Sequence, residues 1–70
     1  MHTVRSEVTG SVWKLEVQPG QSVNEGDTLM IVESMKMEIP ITAPAKGVVR
    51  EIFVAEGELV ADDQAVATVE

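Results

Sequence analysis

The sequence predicts an all-β domain in which two small sheets pack face to face. Short runs of apolar and β-branched residues alternate with turn-forming residues, as in β-sandwiches and β-barrels. No window of the 70-residue chain holds a convincing helical period. One half of the chain also repeats the other. Two similar β units in tandem predict two sheets that are related by an approximate two-fold axis.

The internal repeat runs without a gap at an offset of 37 residues, which places Gly47 on Gly10. Residues 10–33 read GSVWKLEVQPGQSVNEGDTLMIVE, and residues 47–70 read GVVREIFVAEGELVADDQAVATVE. Two matched glycines and a matched final glutamate make chance a poor account of the similarity. The repeat predicts a single domain, residues 1–70, with units at about 3–36 and 37–70. The matched pairs are Gly10/Gly47, Val12/Val49, Leu15/Ile52, Val17/Val54, Gly20/Gly57, Val23/Val60, Leu29/Val66, Val32/Val69 and Glu33/Glu70.

Both units have the same order of elements. Each begins with a strand, VWKLEV or VVREIFV, and continues with a turn, QPGQ or AEGE. Pro19 and Gly20 suit a type II turn, because proline presets φ and glycine accepts a positive φ. A short strand follows, SV or LV, then a second turn, NEGD or ADDQ, then a strand, TLMIVE or AVATVE. In the second of these turns Asp63 takes the place of Gly26, and aspartate tolerates left-handed backbone better than most residues.

The repeat places Lys36 in the joint between the two units. A two-fold axis would exchange this joint with the gap between the chain termini, so we expect Lys36 and the termini at opposite poles. If the chain reverses at residues 34–37, Ser-Met-Lys-Met, it does so without the Gly, Asn, Asp or Pro that tight hairpin turns prefer. Such a turn suggests selection for something other than turning. A continuous strand through VESMKMEI is the alternative.

Composition and charge exclude several classes of partner. The net charge is −7 and the pI about 4.4, which disfavours both nucleic-acid backbones and anionic membrane surfaces. The chain has no cysteine, which excludes a disulfide framework and fits a reducing compartment. The longest apolar run is too short to span a bilayer, and the N-terminus lacks an apolar signal core. We therefore expect a cytoplasmic protein that is monomeric in isolation.

The sequence offers no catalytic constellation. His2 is the only histidine available as a base for a serine nucleophile, which disfavours a hydrolytic triad. Asp62 and Asp63 lack the spacing of a calcium loop. Trp13 and Phe53 have no basic residues around them, so we expect core or half-buried packing rather than stacking on nucleic-acid bases. The expectation is a protein without a catalytic site of its own.

The stretch ESMKMEIPITAPAKGVV resembles the biotin attachment site of the biotinyl/lipoyl carrier family. That family's signature is a Met-Lys-Met or Met-Lys-Leu centre that follows a glutamate and a small residue, with Ala-Pro, a glycine and an apolar run downstream. The upstream turns, in VQPGQSVNEGDTL, resemble the family as well, and the similarity covers about Val8 to Glu70. The residues that match the signature are Glu33, Ser34, Met35, Lys36, Met37, Ala43, Pro44, Gly47 and Val48.

The resemblance implies a flattened β-barrel or sandwich of two four-stranded antiparallel sheets, with Lys36 at a hairpin tip. It implies that a biotin protein ligase attaches biotin to Lys36 and recognises Met35, Met37, Glu33 and Ser34. The attached biotin would carry a carboxyl group from a biotin carboxylase site to a carboxyltransferase site. The chain would then be a carrier rather than an enzyme.

Two other functions stay open at this point. The first is a lipoyl carrier with lipoate on Lys36. Glu33 stands three residues before the lysine, as a glutamate commonly does in lipoyl domains, but lipoyl sites usually read Asp-Lys-Ala. The second is an unmodified β module with a structural or interaction role, which would leave the methionines on either side of Lys36 unexplained.

Overall fold

The computed structural model describes all 70 residues, as eight β-strands and no helix. The strands form two four-stranded antiparallel sheets, so the predicted all-β sandwich is confirmed. We call β5-β4-β2-β7 the lysine sheet and β1-β8-β6-β3 the terminal sheet. None of the elements is a helix that could span a membrane. The strands are β1 (His2–Arg5), β2 (Gly10–Leu15), β3 (Ser22–Val23), β4 (Thr28–Ser34), β5 (Met37–Thr42), β6 (Gly47–Ile52), β7 (Leu59–Val60) and β8 (Ala65–Val69).

The two repeat units exchange places across the sandwich, as the repeat predicts. The Gly20 N–H donates to the Val49 carbonyl at 2.7 Å, and the Gly57 N–H donates to the Val12 carbonyl at 2.7 Å. Gly57 is the repeat equivalent of Gly20, and Val12 is the repeat equivalent of Val49. The second bond is therefore the first with the two units interchanged. Bonds that run both ways between the units require an approximate two-fold axis, because a simple translation would give bonds in one direction only.

Four tight turns share one construction. In each, the fourth residue's N–H donates to the first residue's carbonyl, and the fourth residue's side chain accepts a hydrogen bond from the first residue's N–H. The third residue has a positive φ in every case, which suits glycine. Asp63 adopts φ 69°, so its predicted left-handed conformation is confirmed. The turns are 18–21, 24–27, 55–58 and 61–64.

Two glycines allow strands to approach closely at equivalent points of the repeat. A Cβ at Gly10 would collide with the carbonyl oxygen of Glu33, and a Cβ at Gly47 would collide with that of Glu70. In both cases the obstructing atom is backbone, which cannot move without disturbing the strand pairing. The absence of a side chain at these positions therefore maintains the packing of β2 on β4 and of β6 on β8.

We expect Gly10→Ala to lower the free energy of unfolding by roughly 1–3 kcal/mol, as forced overpacking does elsewhere. Gly47→Ala should cost a similar amount, because its surroundings are the same. Urea denaturation monitored by circular dichroism measures both. Ser11→Ala, at the neighbouring position on β2, serves as the control and should change stability by less than about 0.5 kcal/mol. Unchanged stability in both glycine variants would contradict the close approach.

The core is a thin layer of mostly Val-sized side chains between the sheets. Trp13 and Phe53 lie outside it, with 51% and 48% of their surfaces exposed, so of the two expected placements, core or half-buried, they take the half-buried one. Trp13 follows the buried Val12, and Phe53 precedes the buried Val54. Because side chains alternate between the two faces of an extended chain, both aromatic side chains point away from the core. The buried apolar residues are Val4, Val12, Val17, Val23, Leu29, Met30, Val32, Ile41, Ala43, Val49, Val54, Val60, Val66, Ala67 and Val69.

Candidate functional site

The chain reverses between β4 and β5 in a two-residue turn, Met35-Lys36. Strand pairing continues up to Ser34 opposite Met37, so the turn projects directly from the end of the lysine sheet. Met35 has φ 51° and Lys36 has φ 65°. Two successive positive φ values are the mark of a type I′ hairpin turn. The alternative of one continuous strand through this segment is therefore wrong.

Neither turn residue is suited to this backbone. Left-handed conformation costs a residue other than glycine about 1 kcal/mol or more, and type I′ turns prefer Asn-Gly. The hairpin tolerates the cost because its two strands pair along most of their length and its base is anchored. The Ser34 hydroxyl donates to the Thr9 carbonyl at 2.8 Å. The fold thus presents a lysine where stability alone would favour glycine.

The side chains at the tip are open to solvent. Met35 is 92% exposed and Met37 is 64% exposed, and Lys36 between them is exposed as well. The ion pairs of the chain are Lys14–Glu16 and Arg50–Glu70, so Lys36 has no ion-pair partner. Two exposed methionines around an unpaired amine form an apolar rim that a partner could cover.

Two carboxylates face each other at the base of the hairpin. Glu33 on β4 lies in register with Glu38 on β5, and both are exposed. Like charges directly opposite one another destabilise a sheet, and no cation of the chain forms an ion pair with either group. The hairpin therefore carries a concentrated negative charge next to its lysine.

The hairpin tip and the C-terminus have different hydrogen-bond partners. The tip is tied to Thr9 through Ser34, whereas the Glu70 backbone exchanges hydrogen bonds of 2.8 and 2.9 Å with Val48. No hydrogen bond or ion pair joins the tip to Met1 or Glu70. Lys36 is thus exposed and makes no hydrogen bond or ion pair with the ends of the chain.

All the site residues suggested by the sequence lie together in this one hairpin: Glu33, Ser34, Met35, Lys36 and Met37. Sequence reasoning missed Thr9 and Glu38. Thr9 links the hairpin to the loop before β8, because its hydroxyl oxygen accepts a hydrogen bond from the Asp62 N–H at 3.0 Å. No local sequence signal marks this contact, since Thr9 and Asp62 are 53 residues apart.

The rest of the surface holds no comparable arrangement of reactive groups. A concave region lies between the edge strands β1 and β5, and its lining does not include Lys36. No group of three or more His, Asp or Glu side chains is arranged to hold a metal ion. Lys36 therefore sits on a projecting tip, which suits a group that enters another protein's active site rather than one that forms its own.

Comparison with known proteins identifies close relatives. The family model described as "Biotin-requiring enzyme" matches residues 3–69. The chain is 43% identical over 58 residues to a biotin/lipoyl attachment protein of Bacillus subtilis, covering 83% of this chain and 80% of the relative. It is 36% identical over 66 residues to the biotinylated protein TB7.3 homolog of Mycobacterium leprae, covering 94% and 93%.

A solved structure shows the same fold. The chain matches urea carboxylase of Kluyveromyces lactis with a TM-score of 0.94 and 33% sequence identity. The match covers 99% of this chain but 6% of the carboxylase chain. The similarity therefore concerns one small domain of that large protein.

Proposed function

The chain belongs to the biotin/lipoyl attachment domain family, and from that premise we propose that it is a biotin carboxyl carrier whose cofactor is attached to Lys36. The observation that carries the proposal is the geometry of the hairpin tip. It displays an unpaired lysine between two exposed methionines, in a turn whose backbone disfavours both of its residues. Met-Lys-Met is the biotin form of the family signature, which favours biotin over lipoate.

The residues at the tip fit an acyl acceptor. The Lys36 Nζ would attack the carbonyl carbon of the biotinyl-adenylate that the ligase forms. The new amide bond replaces the bond between that carbon and the phosphate oxygen, AMP leaves, and the amine gives a proton to a base of the ligase. The chain's own contribution is display, because a type I′ turn at the end of paired strands holds the lysine clear of the sheet.

As a carrier, the domain fixes the base of a long flexible arm. When attached, biotin supplies a ring nitrogen that carries a carboxyl group between two active sites. The lysine and biotin chains together make an arm of about ten bonds that reaches roughly 12–14 Å. Paired strands and tight turns on either side of Lys36 keep its base rigid, so the arm samples a limited volume at high effective concentration.

The proposed partners are a biotin protein ligase and a biotin-dependent carboxylase. Similarity to a domain of urea carboxylase supports a carboxylase as the client enzyme. The relatives are carrier proteins or carrier domains, and we propose that this chain likewise has no catalytic site. A cytoplasmic location and a monomeric state in isolation stay predictions.

Intact-mass analysis of the protein from its native host tests the function. We expect the mass of one biotinyl group on the chain, and peptide mapping should place it on Lys36. A lipoyl adduct on Lys36 would establish the lipoyl carrier instead. An unmodified chain from cells that biotinylate other proteins would favour the structural module.

Met35 and Met37 are expected to act through recognition. Their exposed, adaptable side chains suit apolar contacts on the ligase. We expect Met35→Asp combined with Met37→Ala to lower the rate of biotin transfer about 100-fold, since each methionine that the ligase covers contributes about 1.5 kcal/mol. Transfer assays with purified ligase measure the effect, and a lipoyl ligase in parallel shows whether the site has shifted toward lipoylation. Transfer at the wild-type rate by a folded double variant would exclude the methionines as recognition elements.

A further inference from the structure

The approximate two-fold axis pairs each surface position of one repeat unit with an equivalent position of the other, so the two outer faces can be compared residue by residue. The lysine sheet and the terminal sheet have equivalent outer faces, yet only the lysine sheet carries the hairpin with Lys36. A residue that the fold requires should recur in both faces. A consistent difference between equivalent positions therefore points to a role outside the fold.

The outer face of the lysine sheet carries more apolar residues than that of the terminal sheet, alongside the polar residues Ser11, Lys14, Glu33 and Glu38. Leu59 on β7 is 76% exposed, and its equivalent on β3 is Ser22. Trp13 on β2 is about half exposed, and its equivalent on β6 is Arg50, which forms an ion pair with Glu70 at 3.0 Å. One further exposed position shows the same contrast, Pro40/Thr3. At the pair Ile31/Thr68, Ile31 is half-buried and Thr68 is buried. Two positions reverse the contrast: Val48, whose equivalent is Ser11, and Phe53, which extends β6 and has Glu16 as its equivalent.

The apolar face begins beside the attachment hairpin. Strand pairing places Leu59 opposite Ser11, Ser11 opposite Glu33, and Glu33 opposite Glu38. These four residues form one row across the lysine sheet, just below the Met35-Lys36 turn. Neighbouring strands lie about 4.8 Å apart, so Leu59 is roughly 10 Å across the sheet from Glu33.

We propose that this outer face, centred on Leu59 and Trp13, docks the biotin protein ligase that modifies Lys36. The proposal rests on the proposed function. A lysine side chain reaches only about 6 Å from its own backbone, so the ligase must come that close to the hairpin. A standard interface covers about 800 Å² per partner, a patch of roughly 16 Å radius, and from the tip such a patch includes Leu59.

The same reasoning favours the ligase over the carboxylase as the occupant. Once the arm is complete it reaches roughly 12–14 Å, so the carboxylase sites can be served without close contact between the sandwich body and either enzyme. The attachment step has no such arm. It is the one step that forces another protein against the surface around the hairpin.

The chemistry of the face defines the surface that it fits. Leu59 and Trp13 would pack against an apolar patch on the ligase, and tryptophan is a common anchor residue of protein interfaces. Glu33 and Glu38 lie opposite each other without a cation, in a chain of net charge −7. A ligase surface with basic residues beside its apolar patch would relieve their repulsion and steer the encounter.

The test converts this face into its polar equivalent. Leu59→Ser and Trp13→Arg introduce the residues that the repeat already carries at Ser22 and Arg50. Each is expected to lower kcat/KM for biotin transfer by purified ligase about tenfold, through KM, while kcat stays unchanged. Val48→Ser on the terminal sheet is the matched control and should stay within about twofold of wild type. Thermal unfolding of each variant verifies that the chain is folded.

Several results would overturn the proposal. Wild-type kcat/KM in folded Leu59→Ser would do so, and so would an equal fall in Val48→Ser. If Leu59→Ser fails to fold, Leu59→Gln is assayed in its place, with the same readout. Normal biotinylation followed by loss of carboxylation would assign the face to the carboxylase, and dimerisation of wild type that Leu59→Ser abolishes would assign it to a second copy. If wild-type Lys36 carries no biotin, the proposed function is overturned together with the docking face. If wild type is biotinylated and Leu59→Ser has the same kcat/KM, only the docking face is overturned.

Discussion

Lys36→Arg is expected to abolish biotin attachment completely when the protein is co-expressed with a biotin protein ligase. Arginine keeps the positive charge and a similar reach, so the exposed tip should fold as before. Its guanidinium is effectively always protonated and cannot serve as the acyl acceptor. Intact mass and streptavidin binding measure the loss, and an unchanged thermal midpoint shows that it is chemical rather than structural.

The remaining lysines provide the controls for that experiment. Lys14 lies on β2 within 3.7 Å of Glu16, and Lys46 lies in the bend before β6. Neither stands in a two-residue hairpin turn or between methionines. Lys14→Arg and Lys46→Arg should therefore be biotinylated as fully as wild type. A biotinyl adduct of full occupancy on Lys36→Arg would show that the attachment site lies elsewhere.

Replacing Met35-Lys36 with Asn-Gly is expected to stabilise the sandwich by roughly 1–2 kcal/mol while removing the attachment site. Both positions have a positive φ, and Asn-Gly is the pair that type I′ turns prefer. Relief of left-handed strain at two residues accounts for the gain. For a domain of this size it corresponds to a rise of very roughly 4–16 °C in the thermal midpoint.

Single substitutions separate the two contributions. Lys36→Gly should give a substantial part of the gain on its own, because glycine pays no steric penalty at positive φ. Lys36→Arg should give no gain in stability, since arginine has the same steric penalty at positive φ as lysine. Urea denaturation at constant m-value measures each step. If Asn-Gly leaves the midpoint unchanged, the turn is not strained, and the lysine does not reduce the stability of the fold.

The expected gain shows how function and stability conflict at one turn. The other turns of the chain carry the residue that their backbone favours, as at Gly20, Gly26 and Gly57. Asp63 deviates only mildly, because aspartate tolerates left-handed backbone. The Met35-Lys36 turn deviates at both positions. Such a local departure from good turn chemistry is expected where a residue serves another protein.

Local patterns were sufficient for most of the architecture. The repeat predicted two equivalent units, and turn chemistry predicted the positive φ at Gly20 and at Asp63. The residues after Trp13 show where such patterns fail. The register against β4 shifts between Val12 and Lys14, so Lys14 faces outward beside Trp13 and Leu15 returns to the core side. Strict alternation from the buried Val12 leaves Trp13 outward but does not reveal that shift.

The sequence by itself determined the all-β class, the duplicated units and the presence of Lys36 at their joint, because each depends on residues close together in the chain. Only the tertiary structure decided which surfaces flank that lysine. Ser34 bonds Thr9 across 25 residues, and Leu59 joins the row of Glu33 only because β7 pairs with β2 and β2 with β4. Strand neighbours and registers follow from the packing of the whole sandwich. The apolar face beside Lys36 therefore becomes visible only when the two sheets are compared in space.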